Sequence, residues 1–228
     1  MNQTSNPSQR RPEYAQYIEH SVLRPDTTQK TIRRICQEAK QYGFAAVAIT
    51  PTHVKYAASL LKGSGIMVDA AIGFPLGTST TAVKMAETAD AIQNGADEVD
   101  MVINIGALKD GQYDYVRQDM EAVAQTAHAA GIKAKAILET YLLTDAEKET
   151  CCQLAVEAGM DYVKTCTGFN GGKATVHDIQ LIKRIVADRC LIKASTGIDD
   201  RASFEALKAA GAVRFGTSKG IKIVEGTQ

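Results

Sequence analysis

Two lysines stand inside short runs that otherwise read as buried strands: Lys164 in DYVKTCT (residues 161–167) and Lys193 in CLIKAST (190–196). A desolvated lysine is costly unless it meets a counter-charge or gives up its proton, so each position asks for a partner or for a use of the neutral amine. Strand side chains alternate between two faces, which would set Tyr162, Lys164 and Cys166 on one side and Val163 and Thr165 on the other. Neighbouring runs add Asp100 in EVDMVIN (98–104) and, with like parity, Lys135 and Glu139 in IKAKAILET (132–140). Such a set is either a structural ion-pair network or a reactive site. In the reactive reading, Lys164 and Lys193 on adjacent strands weaken each other's hold on a proton, and a lysine tuned to a pKa of about 7 to 8 carries useful free amine at neutral pH. That amine attacks carbonyls. The resulting Schiff base is an electron sink that lets an adjacent carbon–carbon bond break or form without metal or organic cofactor, and Asp100 would carry protons.

Something must place these residues together. Strand-like runs recur at 17–23, 45–49, 67–74, 98–104, 132–140, 161–167, 190–196 and 212–218. Amphipathic segments such as TTQKTIRRICQEAKQYG, TAVKMAETADAIQNG and DRASFEALKAAG lie between them, several closed by the glycine favoured just past a helix end. The alternation repeats about every thirty residues, the size of a βα unit. Eight units predict an α/β fold, a single-domain (β/α)8 TIM barrel over residues 13–228, behind a disordered polar tail over 1–12. A doubly wound open sheet is the alternative, but the first strand run leads into RPDTTQK and not into a glycine-rich dinucleotide loop.

In such barrels phosphate is often held after strands 7 and 8 by backbone N–H groups. Those loops read STGIDD and GTSKG, with small residues throughout and a positive charge at Lys219.

Composition narrows the field further. Lys plus Arg and Asp plus Glu number 26 each, so no net field draws the chain to nucleic acid or an anionic membrane. No apolar run approaches the roughly 20 residues of a membrane span, and MNQTSNPSQRRP lacks the apolar stretch of a signal peptide. Five cysteines without a CxxC pair fit a reducing cytoplasm. The four histidines are scattered and read as surface or capping residues, which gives a metal site little support. Barrels often bury apolar helix surface between two copies, so a homodimer is the assembly to expect, although no stretch specifies the surface.

The segments GFPLGTST, GADEVDMVINIGALKDGQYDYV, AILETYLLTDAEK, DYVKTCTGF, IKASTGI and RFGTSKGI together resemble deoxyribose-phosphate aldolase, from about IEHSVLRPDTT to GTSKGI. The resemblance implies that Lys164 forms the Schiff base, that Lys193 lowers its pKa and joins proton transfer, and that Asp100 serves the proton relay. It implies reversible cleavage of 2-deoxy-D-ribose 5-phosphate to acetaldehyde and D-glyceraldehyde 3-phosphate, with phosphate near Gly168, Gly197 and Ser218. The chain departs from the family pattern at Glu19 (usually Asp), Ala48 (usually Cys), Thr196 (usually Gly) and Lys219 (usually Ser). Thr196 and Lys219 touch the phosphate loops, the first by adding a Cβ and the second by adding charge. A catalytically silent sugar-phosphate sensor and a transaldolase-like transferase or isomerase are the competing functions on the same barrel.

Overall fold

Each strand run is apolar on the side that meets the helices, and this one-sided pattern winds the chain into two layers. The computed structural model describes residues 12–226. Eight parallel strands close into a barrel in the order β1 to β8: Ile18–Val22, Ala46–Ile49, Met67–Ile72, Glu98–Val102, Lys133–Ile137, Tyr162–Lys164, Leu191–Ser195 and Arg214–Thr217. The expected (β/α)8 barrel is therefore the observed fold, with each strand one to several residues shorter than its apolar run. The polar tail expected over 1–12 lies outside the described residues, except Pro12, which opens the short helix α1 (Pro12–Ala15).

The principal outer helices are α2 (Gln29–Tyr42), α3 (Val54–Leu61), α4 (Thr81–Gln93), α6 (Tyr113–Ala129), α7 (Asp145–Glu157), α8 (Val176–Val186), α9 (Arg201–Ala210) and α10 (Gly220–Glu225), with the short α5 (Ile105–Lys109) leading into α6. Local chemistry sets their ends. Thr28, Thr144, Thr175 and Asp200 each accept a hydrogen bond from a first-turn N–H, satisfying donors that lack an intrahelical partner. Gly43 ends α2 in the left-handed region at φ 71°. Among the described residues, no helix is long and apolar enough to cross a membrane.

Strand alternation divides the barrel into two environments. Val47, Ile49, Val68, Ile72, Val99, Met101, Val163, Ile192 and Phe215 pack outward into the core under the helices. The inward positions hold Glu19, Asp69, Glu98, Asp100, Lys135, Lys164, Lys193 and Arg214, all within ion-pair reach of one another in a chain of contacts. Ala46, Ala48, Ala71 and Gly216 share that interior, and their small size leaves room for the long cationic side chains.

The loop after β3 shows how tightly the layers close over the barrel end. Gly77 has φ 73°, and a Cβ there would lie 1.9 Å from the carbonyl oxygen of Ile103, which follows β4. Backbone faces backbone, so the clash has no soft side to yield. Gly77→Ala should therefore lower the unfolding free energy by about 3 kcal/mol or more, read as a reduced denaturation midpoint.

Candidate active site

The parallel register aligns Ile137, Lys164, Lys193 and Arg214 across four strands, and Ala71, Asp100, Lys135 and Tyr162 across four overlapping ones. The sequence-predicted triad is brought together at one atom: Asp100 Oδ2 accepts from Lys164 Nζ and from Lys193 Nζ, each at 2.5 Å. Lys193 also donates to Glu19 and, at 2.8 Å, to Asp69. Lys135 Nζ lies 2.8 Å from Glu98, 2.9 Å from Asp100 and 3.1 Å from Asp69. Arg214 closes the lower end, 3.6 Å from Glu19 and 3.8 Å from Glu98.

The two site lysines differ in how many anions they face, and this separates their roles. Burial disfavours both ammonium groups. Lys164 is offset chiefly by Asp100, with Lys193 working against it, and its pKa stays below that of a free lysine. Lys193 faces Asp100, Asp69 and Glu19, which outweigh burial and raise its pKa above the usual value. Lys135, ringed by four carboxylates, is likewise raised. Burial would raise Asp100, but Lys135, Lys164 and Lys193 together hold it well below the carboxylate range. Lys164 thus loses its proton first, and its side chain keeps 3% exposure against 1% for Lys193 and none for Lys135. The neighbouring Lys193 ammonium, expected to be the source of this shift, is the smaller cause and burial the larger.

Two parity expectations fail because the strands end early. β5 stops at Ile137, and Glu139 turns away with φ 58°, accepting from Thr167 and from Asn170 (2.9 Å) instead of joining Lys135. β6 stops at Lys164, so Cys166 meets Thr140 at 3.4 Å and not the charged interior. His20 is another correction, since it is buried on β1, its ring tilted against Phe44 with centroids 5.1 Å apart and bonded to Glu38 at 2.7 Å. His128 and His177 are exposed.

Sequence reasoning missed Asp69, Glu98 and Arg214 as members of the interior set, though each sits at an inward strand position. Alternation within MVDAAI would have exposed Asp69 had charge in that run been weighed. Glu19, Asp69 and Asp100 bring carboxylate oxygens within 4.8 Å of one another. The ammonium groups of Lys135 and Lys193 each pair with all three, while Lys164 adds to Asp100 and Arg214 to Glu19.

Above the lysines opens a cavity of about 340 Å³ at the strand C-termini, walled by Ser21, Arg24, Phe169, Ser195, Thr196, Gly197, Thr217 and Ser218 among others. Three of the expected phosphate residues, Thr196, Gly197 and Ser218, belong to this wall. Gly168 and Lys219 do not line it, and Lys219 is exposed, with its backbone N–H bonded to Thr217 Oγ1 at 2.9 Å. The cation that does line the wall is Arg24, paired with Asp26 at 2.9 Å. Thr196, the residue in place of the usual glycine, sits at φ 74°, and its Oγ1 fills the space where a Cβ on Gly168 would lie at 2.9 Å. A β-branched residue in the left-handed region is strained.

Fold and interior together are those of a (β/α)8 aldolase. Residues 14–226 match the DeoC/LacD family aldolases, and the chain belongs to that family, which makes it a carbon–carbon lyase. It is 50% identical over 216 residues to the deoxyribose-phosphate aldolase of Staphylococcus carnosus, covering 95% of this chain and 97% of that one. The deoxyribose-phosphate aldolase of Thermococcus gammatolerans is 50% identical over 216 residues, covering 94% and 96%. Among solved structures, the tetrameric deoxyribose phosphate aldolase of Aeropyrum pernix is 27% identical and superposes with a TM-score of 0.88 over 94% of this chain and 90% of that one.

Two stability outcomes follow from the geometry. Lys135→Met leaves four buried carboxylates without their shared cation and should destabilise the fold by about 3–5 kcal/mol in denaturant titration. Thr196→Gly relieves the left-handed strain and should raise stability by about 1 kcal/mol, seen as a higher Tm.

Proposed function

We propose that this chain cleaves 2-deoxy-D-ribose 5-phosphate reversibly to acetaldehyde and D-glyceraldehyde 3-phosphate through a Schiff base on Lys164. The observation that carries the reading is the shared oxygen: Asp100 Oδ2 lies 2.5 Å from both Lys164 Nζ and Lys193 Nζ, with only Lys164 below its ordinary pKa. In the cleavage direction the neutral Lys164 amine adds to the aldehyde carbon of the open-chain sugar, and loss of water gives an iminium ion. Asp100, with Lys193 fixing its orientation, takes the proton of the C3 hydroxyl through a water as the C2–C3 electron pair moves into the iminium. Glyceraldehyde 3-phosphate leaves. The enamine that remains takes a proton at carbon and is hydrolysed, which frees acetaldehyde and restores the amine.

The phosphate would sit in the cavity above the lysines, against backbone N–H groups near Gly168, Gly197 and Ser218, with Arg24 as the cation in its wall. Lys219 would contribute only from outside that wall. Five buried free thiols suit a reducing cytoplasm, and a homodimer is the assembly we assign, to be read from solution mass.

Borohydride in the presence of acetaldehyde should attach a two-carbon adduct to Lys164, located by peptide mass. Lys164→Leu, which suits a buried strand, should keep the fold by circular dichroism and lose both adduct and turnover. An adduct on another lysine, or turnover surviving in the leucine variant, would overturn the assignment.

A further inference from the structure

We propose that Asp199 is a specificity-determining residue: a carboxylate in the wall of the cavity above the lysines that repels a phosphate dianion and accepts a sugar hydroxyl. It thereby narrows the preference of the site for a phosphate ester over a 2-deoxyaldose that ends in a free hydroxyl. The inference rests on the Schiff-base reading above and concerns the end of the substrate remote from the aldehyde. Asp199 lines the cavity together with Arg24, Ser195, Thr196, Gly197 and Ser218. It is exposed and forms no hydrogen bond or ion pair with any other described residue, so its charge acts on whatever enters.

The wall carries two charged groups, Arg24 and Asp199. Arg24 is already engaged: its Nε donates to Asp26 Oδ1 at 2.9 Å and its Nη2 to Asp26 Oδ2 at 3.1 Å, a bidentate pair that offsets the guanidinium charge. Asp199 is thus the uncompensated charge of the wall. Neighbouring cations face elsewhere. Lys173 lays its stem on Gly197, its Cβ 2.6 Å from where a Cβ of that glycine would be, but it lines a separate cavity with Thr140 and Asp178. Lys219 is exposed and lies outside the wall. Beneath the cavity, the barrel interior balances four carboxylates (Glu19, Asp69, Glu98, Asp100) against four cations (Lys135, Lys164, Lys193, Arg214) and offers a phosphate no net attraction.

The two kinds of substrate end meet this wall differently. A phosphate monoester carries between about 1.5 and 2 negative charges near pH 7 and presents acceptor oxygens. An ionised carboxylate is likewise acceptor-only, so the two repel and share no hydrogen bond. A terminal hydroxyl donates to the same carboxylate, while the hydroxyls of Ser195, Thr196 and Ser218 serve it as donors or acceptors. One expected phosphate donor is also withdrawn: Gly168 does not line the cavity, and Thr196 Oγ1 lies 2.9 Å from where a Cβ of Gly168 would be. The phosphate is left with backbone N–H groups near Gly197 and Ser218 and with a guanidinium it must share with Asp26.

Asp199→Asn tests this, because asparagine keeps the shape, removes the charge and breaks no bond that the fold uses. The measurement is kcat/KM for 2-deoxy-D-ribose 5-phosphate and for 2-deoxy-D-ribose, in wild type and variant. Removing one like charge beside the dianion should raise kcat/KM for the phosphate ester about tenfold, through KM, and should not raise it for the free sugar. Asp199→Glu, which keeps the charge, should stay close to wild type on both. Raising the salt from about 0.01 to 0.15 M should narrow the gap between wild type and Asp199→Asn on the phosphate ester, since screening weakens an effect of charge and not one of shape. No gain on the phosphate ester, an equal gain on both substrates, or a gap indifferent to salt would overturn the role of Asp199 while the acetaldehyde adduct on Lys164 still forms. Absence of any lysine adduct in the wild-type protein would instead overturn the Schiff-base reading and this inference with it.

Discussion

A barrel of this kind normally fills its centre with branched apolar side chains, layer upon layer. Here the centre is ionic, and the condition that makes it tolerable is that four carboxyl groups and four cations interlock with no charge left over. An isolated ammonium or carboxylate in that position would give up its charge. Each member instead finds opposite charge from several strands, and Lys135 alone reaches four carboxylates. Small neighbours such as Ala48, Ala71 and Gly216 are the complement of this arrangement, since bulky residues at the same inward positions would displace the long side chains.

The distribution of charge within that neutral set is uneven, and reactivity comes from the unevenness. Lys193 and Lys135 sit deep among several anions and stay ammonium ions. Lys164 lies at the C-terminal end of β6, with one carboxylate as its chief partner. The same burial that all three share therefore releases the proton of only one. Asp100, bonded to both Lys164 and Lys193, keeps its charge and its orientation because three cations surround it.

Above this rigid interior the loops are less ideal. Thr196 is held at φ 74° by a segment whose neighbours leave it little choice: Ala174 N–H bonds its carbonyl at 3.0 Å, its own N–H reaches Gly216 O at 3.3 Å, and Gly168 lies against its hydroxyl. Strain concentrated beside a binding cavity, on a scaffold stable enough to sustain it, is a common property of enzyme loops. Phe74 and Phe169 meet edge to face at 5.3 Å near the same opening, and Phe169 forms part of the cavity wall.

Much of this was legible before any coordinates. The alternation of strand and helix runs determined the barrel, because a parallel sheet with helical crossovers of this number has few ways to bury both faces. Lysines and an aspartate at mid-strand, where solvent cannot pay their hydration, announced the site. Strand parity could not say where each strand stops, so Glu139 and Cys166 were assigned to a face they do not share with Lys135 and Lys164. Nor could it weigh Asp69, Glu98 and Arg214, whose significance depends on partners as distant along the chain as Glu19 is from Arg214. Which lysine stays protonated was decided by the closed barrel alone, since only the tertiary arrangement sets three carboxylates around Lys193 and leaves Lys164 with Asp100.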